Sequence, residues 1–294
     1  MKRLWWLLVT LLLLVCRVPS SGQSASRFSI GLSPASDVAL SIFAPDDIKG
    51  FDKVLRVAPD VAALKDGFVV TNMGKRAIIG LATKWYITEP SGSVRIHTFQ
   101  SHSFLSPGFE PLATSNERLI VLPGMFIQEQ MLSGSGVIVA SPSRSTIALF
   151  GAANTLKVEI DSIIFDDGEI VGPNSLHLNA EIQLAKDATD IVMRHVHAAA
   201  AVYLKKSGES QFTSPNDKQV KEYLRRIDGG LPPSHVIRDA LTTLSVPEAP
   251  GPTAARVARL SGTLLRTQHF AAVLEYMQSI PAPPVFYRKD GQPL

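Results

Sequence analysis

Apolar and polar residues change their period once along this chain. Before Pro173 they alternate in twos, the spacing of a strand with one buried face; after Asn174 they return every three or four residues, the spacing of a helix. The alternation predicts a strand through Val38, Leu40 and Ile42, and another through Val54, Leu55 and Val57 ahead of Pro59. Residues 68–72 follow Asp66-Gly67, and residues 77–88, rich in β-branched and aromatic side chains, stop at Glu89-Pro90-Ser91-Gly92. Val94, Ile96 and Thr98 then alternate with Arg95, His97 and Phe99. Residues 119–122, 125–131 and 136–140 supply three more candidates, punctuated by Pro123-Gly124, Ser133-Gly134 and Pro142. Roughly eight short strands with turns between them predict an antiparallel sandwich. Trp85, in mid-strand, reads as core.

The stretch that closes this region is the clearest. Val158, Ile160 and Ser162 alternate with Glu159, Asp161 and Ile163, and Ile164-Phe165 runs into Asp166-Asp167-Gly168-Glu169. Asp-Gly between apolar runs predicts a hairpin, because Gly tolerates the positive φ of a tight turn. Asp166, Asp167 and Glu169 raise the question of calcium. Calcium loops need six to eight oxygens in an Asp-x-Asp-x-Asp-Gly frame with a distant Glu, and that frame is absent, so a solvated turn is expected.

Phe165-Asp166-Asp167-Gly168, followed by Val171-Gly172-Pro173-Asn174, resembles a phrase recurring in secreted bacterial proteins of uncharacterised function. There it ends an immunoglobulin-like sandwich, and a helical region follows. Asn72-Met73-Gly74 and the turn at Leu122-Pro123-Gly124 are similar in placement. The resemblance covers about residues 54–206. It implies that fold and an extracytoplasmic location, and it brings no site residues.

Past Asn174, Leu184, Ala188, Ile191, His195, Ala198 and Val202 mark an apolar seam of a helix ending near Lys206, with Asp190 and Arg194 placed to pair on its flank. His195 lies in that seam and His197 points about 200° away, so one metal cannot take both. A second helix opens at Ser214-Pro215 with Val220, Tyr223, Leu224 and Ile227 as its stripe, and a third follows Pro232-Pro233-Ser234 with Val236, Ile237, Ala240, Leu241 and Leu244. Residues 246–252 read as a linker, and 253–279 as one helix or as two broken near Gly262. The end, with Pro281, Pro283 and Pro284, is expected to be extended and mobile.

The N-terminus changes how the totals are read. Lys2 and Arg3 precede a nearly unbroken apolar run over residues 4–16, then a small-residue stretch through Ser26, the layout of a secretory signal peptide. As a helix that run rises about 20 Å, short of a hydrocarbon core of about 30 Å. Leu13-Leu14-Val15-Cys16 resembles a lipoprotein box in which Cys16 would be acylated, although Val15 is larger than the usual residue there. Cleavage would remove Lys2, Arg3 and Arg17, taking the 29 basic residues to 26 against 26 acidic ones. A neutral mature chain has no general attraction for phosphate backbones, so nucleic acid is disfavoured as a partner. Cys16 is the only cysteine, leaving no disulfide and no thiolate metal site. The expected organisation is therefore α+β: signal peptide 1–26, extension 27–53, immunoglobulin-like sandwich 54–173, helical region 174–280 and flexible tail 281–294.

Catalytic patterns are not found. Gly134-Ser135-Gly136 lacks both the nucleophile-elbow spacing and a following helix, and nothing in sequence joins His97 and His102 to a third ligand. No catalytic, cofactor-binding or metal-binding residue is assigned, and no cofactor is expected. From residue 200 onward, 12 Lys and Arg face 8 Asp and Glu; Arg256, Arg259 and Arg266 can share a helix face, though scattered solvated arginines explain them as well. The expectation is an exported, non-catalytic binding or structural protein of a bacterial envelope, its partner an envelope protein or surface polymer, with no transmembrane helix in the mature chain. A secreted hydrolase with dispersed carboxylates and histidines, and a periplasmic chaperone-like module lending an edge strand, are the alternatives.

Overall fold

The computed structural model of the chain describes residues 26–103, 110–133, 142–207, 217–228, 234–245, 252–267 and 282–293. The architecture is α+β: two sheets dominated by antiparallel pairs, with six α-helices among the described residues. The larger sheet is ordered β10 (Tyr287–Arg288), β9 (Glu169–Val171), β8 (Thr155–Phe165), β4 (Ile78–Thr88) and β5 (Val94–His102), with β1 (Phe28–Ile30) beside the first half of β8. The smaller is ordered β2 (Val38–Ile42), β3 (Phe68–Asn72), β6 (Arg118–Leu122) and β7 (Met125–Gln128). Among the described strands, only β1 on β8 and β10 on β9 pair in parallel.

β8 shows how the sequence sets the layers. Leu156, Val158 and Ile160 point into the core between the sheets, while Thr155, Lys157 and Glu159 face outward, as their alternation predicts. The phase then breaks. Ala82 pairs with Ser162 and Thr83 with Ile160, so Asp161 is the extra residue of a β-bulge. The bulge returns Ile163 and Phe165 to the inner core and sends Ile164 outward, beneath a helix. Unbroken alternation would have placed Ser162 inward and Ile163 outward.

Trp85 is fully buried at the centre, with Phe28, Phe68, Phe99 and Phe150 at ring distances of 5.8, 6.1, 6.4 and 5.4 Å, and its Nε1 donates to Thr83 Oγ1 at 3.1 Å. The outer face of the smaller sheet (Val69, Ile120, Leu122) is covered by Phe43, Ile48, Phe51 and Val54.

Two helices stand inside the region that reads as β in sequence. Val54, Leu55 and Val57 belong to α1 (Phe51–Val57), not to a strand. Phe51, Val54 and Ala58 are buried at a spacing of three and four, and Asp52 pairs with Arg56 one turn on, so the helical period was there. α2 (Arg144–Gly151) starts where Ser143 accepts the Thr146 N–H at 3.1 Å, an N-cap signal hidden behind Pro142. Residues 27–53 are also more than an extension, since β1 and β2 lie one in each sheet. The candidate strand at 136–140 lies outside the described residues.

α3 (Leu178–Ser207) runs 30 residues and is shared by two cores. Leu178 and Ile182 cover Ile79, Ala82, Ile164 and Ile170 of the large sheet; further on, Ala188, Val192, Val196, Ala200 and Leu204 pack with Val220, Tyr223 and Leu224 of α4 (Asp217–Asp228), Ile237 and Leu241 of α5 (Ser234–Ser245) and Val257 of α6 (Pro252–Thr267). The buried seam is thus offset from the expected one: Ala198 and Val202 are exposed, and so is His195. Asp190 pairs with Lys186, not Arg194, whose Nε donates to the Asp190 carbonyl at 3.3 Å. α6 passes through Gly262 unbroken. The proline-rich end is docked over 282–293, supplying β10 as an edge strand.

Candidate interaction edge

The large sheet has two edges, and the chain treats them differently. At one, Asp166-Asp167-Gly168-Glu169 makes the expected hairpin, pairing Ile163 with Val171 and Ile164 with Ile170. Gly168 has φ 95°, and a Cβ there would lie 2.3 Å from the Val285 carbonyl oxygen, so both the turn and the passing tail require glycine. Tyr287 donates its N–H to Gly168 O at 3.1 Å, and Phe286 packs on the layer formed by Ile164 and Ile170. Arg76 takes up the turn's charge: it pairs with Glu169, with Asp167 at 3.3 Å and with Asp37 at 3.5 Å, while its guanidinium lies 4.0 Å over the Phe165 ring. Burial alone would lower the Arg76 pKa, but the Glu169 and Asp167 carboxylates outweigh it and the net shift is upward. Among the described residues no group of three or more His, Cys, Asp or Glu is placed to hold a metal ion.

β5 forms the other edge. Its nine residues pair with β4 without a register shift, from Gly80 with His102 to Thr88 with Val94, and no described strand lies beyond it. An antiparallel edge directs alternate N–H and C=O groups outward, where they can accept another strand. The usual protections are few here: no proline, no bulge, and a single charge at Arg95, itself paired with Glu89 at 2.8 Å. Val94 and Ile96 are 60% and 55% exposed. Beside them, Tyr86 donates to Glu159 at 2.9 Å and Lys157 pairs with Glu159 at 2.6 Å. That hydrogen bond raises the Tyr86 pKa, while those from Lys157 and Tyr86 lower that of Glu159, leaving a neutral polar border to the apolar stripe.

The far end of β5 is closed. Gln100 Nε2 donates to Leu176 O at 2.8 Å, and His102 is buried where Arg256 of α6 pairs with Glu181 of α3. Burial, and secondarily Arg256, lowers the His102 pKa to about 4. The closure rests on the Asp161 bulge. The Asp161 backbone carbonyl accepts the Asn174 N–H at 3.0 Å; its carboxylate accepts the Leu176 N–H at 3.0 Å and the Ser175 hydroxyl, and pairs with Lys84 at 3.0 Å. Burial acts to raise its pKa, and Ser175, Leu176 and Lys84 together turn the net shift downward. Asn174 Oδ1 then accepts the Leu178 N–H at 3.0 Å at the start of α3.

His97 and His102 fall on opposite faces of β5, His97 against Phe99 and Phe150. Arg256 faces Glu181, and the side chains of Arg259 and Arg266 lie outside what is described. Gly134-Ser135-Gly136 and Cys16 also lie outside the described residues. No single motif in sequence marked β5 as the open edge. The signal is a long, clean alternation with almost no charge, but which strand stands last in the sheet is decided by topology.

Comparison with protein-family models, with curated proteins and with solved structures found no match to this chain. No described helix is long and apolar enough to cross a membrane.

Proposed function

We propose that this is an exported, non-catalytic binding protein of a bacterial envelope that captures an extended segment of another envelope protein at β5, and that its two sheets form an immunoglobulin-like sandwich. The observation that carries the reading is the nine-residue, unshifted, nearly uncharged edge of β5. Strand addition at such an edge gives affinity through main-chain hydrogen bonds, with alternate side chains setting specificity. Here the added strand would lie beside Val94 and Ile96 on one face and His97 and Phe99 on the other. Export is supported by the order of basic, apolar and small residues over 1–26.

The test compares the wild-type chain with a Val94→Lys, Ile96→Lys double variant in pull-downs from native envelope extract at several salt concentrations. A partner retained by the first and lost by the second supports the reading; identical recovery by both refutes strand addition at β5. Mass spectrometry of the exported chain is expected to place its first residue between Gly22 and Ser26, and an intact N-terminus would overturn the export reading. The same edge also favours a chaperone-like module, distinguished by release of its client during folding.

A further inference from the structure

A recess lies on the smaller sheet, where β6 begins and β7 ends. It encloses about 590 Å³, within the range of about 300–1,000 Å³ typical of small-molecule sites. One wall is the start of α1 with Lys49, Gly50 and Lys53; the other carries Glu117, Arg118 and Glu129, with Leu132 contributing apolar lining. The walls are held close. A Cβ on Gly50 (φ 84°) would sit 2.9 Å from Leu132 O, and Lys53 Nζ donates to that same oxygen at 2.8 Å. The recess is therefore pinned by backbone contact.

Its charges are unevenly used. Glu117 accepts the Thr114 N–H at 2.6 Å, and Arg118 pairs with Glu129 at 3.3 Å. Lys53 Nζ is engaged at the Leu132 carbonyl. Lys49 is exposed and takes part in no ion pair or hydrogen bond among the described residues. Among the described lining residues, three cations against two carboxylates leave a surplus of one positive charge, matched by one negative charge on a ligand. A dianion would meet repulsion from Glu117 and Glu129, whereas a ligand hydroxyl or ammonium would find acceptors there.

We propose that this recess binds a small monocarboxylate that also carries hydrogen-bond donors, with Lys49 on the carboxylate and Glu129 and Glu117 on the donor groups. Two kinds of molecule share that chemistry, a short peptide and a sugar acid. Calorimetry on the full chain with alanyl-alanine, glucuronic acid, acetate and inorganic phosphate separates them. The expected result is saturable binding of alanyl-alanine or glucuronic acid, weaker binding of acetate, and none of phosphate. Lys49→Ala is expected to weaken binding about tenfold or more with an unchanged melting temperature, and Lys49→Arg to restore most of it. Absence of saturable binding by either donor-bearing probe, preference for phosphate, or Lys49→Ala binding as wild type would each overturn the proposal. The β5 double variant should bind these probes normally, so this site and the strand-addition reading stand or fall separately.

Discussion

The two edges of the large sheet present the same backbone chemistry and receive opposite treatment. The β9 edge is three residues long, and the chain's own end covers it through Tyr287, Phe286 and a glycine turn that leaves room for the tail. The β5 edge is three times as long, regular and nearly uncharged, and no described segment lies on it. A short edge is a small hazard and a long one a large hazard, because each unpaired N–H and C=O is a site for another strand. Among the described residues the lesser hazard is covered and the greater one left open, the reverse of what protection against aggregation alone would give. The difference is explained if β5 is covered by a partner.

The largest way to break this contrast acts on the bulge. Asp161→Ala removes the acceptor for two backbone N–H groups, with the Asn174 to Leu176 crossing held there, and strips Lys84 of its partner. Loss of one member of such a buried network costs on the order of 3–5 kcal/mol. The crossing follows β9 and also closes the far end of β5 through Gln100 and Leu176, so hydrogen exchange should rise at β9, the start of α3 and residues 100–102 more than at residues 94–96. Uniform loosening along the whole of β5 would show that the bulge does not hold its closed end. Because the folded carboxyl has a lowered pKa, its stabilisation is present above the unfolded value and fades as pH falls through the folded one.

His102 gives the next largest effect. Its folded pKa of about 4 lies below the ordinary histidine value of 6.5, so the unfolded chain takes the proton first on acidification. Stability from this group is full above about pH 6.5 and falls as pH drops toward 4, by on the order of 2–3 kcal/mol. His102 marks the end of β5 that α3 covers, so acid should open that end and extend the exposed edge. The melting temperature of a His102→Gln variant should vary less across this window than that of wild type; equal slopes would assign the acid limb to another group.

Gly168→Ala comes third. It places a side chain at φ 95° and 2.3 Å from Val285 O, at a cost of about 1–3 kcal/mol. The expected signature is loss of exchange protection at the Tyr287 amide while β5 keeps its own. If the tail stays protected, the turn is not what makes room for it.

Much of this contrast was legible in the residues, and the part that was not has a physical reason. The hairpin at Gly168 and the burial of Trp85 follow from turn chemistry and apolar alternation. α1 was misread because Val54, Leu55 and Val57 are β-branched or apolar at strand spacing, while Phe51 and Ala58, which complete the helical stripe, lie beyond them. The phase break at Asp161 was hidden because a bulge is fixed by the partner strand and by the Ser175 and Leu176 groups that seek its carboxylate. The α3 seam is offset because apolar residues border the buried row on both sides, Ile191 and Met193 beside Val192 and Ala199 and Ala201 beside Ala200, so the pattern alone does not fix which row turns inward. The recess at Lys49 joins three separate segments and has no signature in any one of them.

The smallest expected change in stability tests the open edge most directly. Ile96→Lys replaces a side chain 55% exposed on the outer face, where surface substitutions usually fall within about 0.5 kcal/mol of neutral. The lysine stem can still lie over Tyr86, across the strand pair, while its ammonium reaches water. Folding should therefore be indifferent to the change, but strand addition should not be. A charge on an edge is a standard deterrent to pairing, and this one would sit in the middle of the apolar stripe formed with Val94. The expected outcome is an unchanged melting temperature with loss of partner capture and of any concentration-dependent self-association seen by light scattering. A variant that melts several degrees lower would mean that Ile96 packs inside its own chain, and the β5 edge would then be closed like the other.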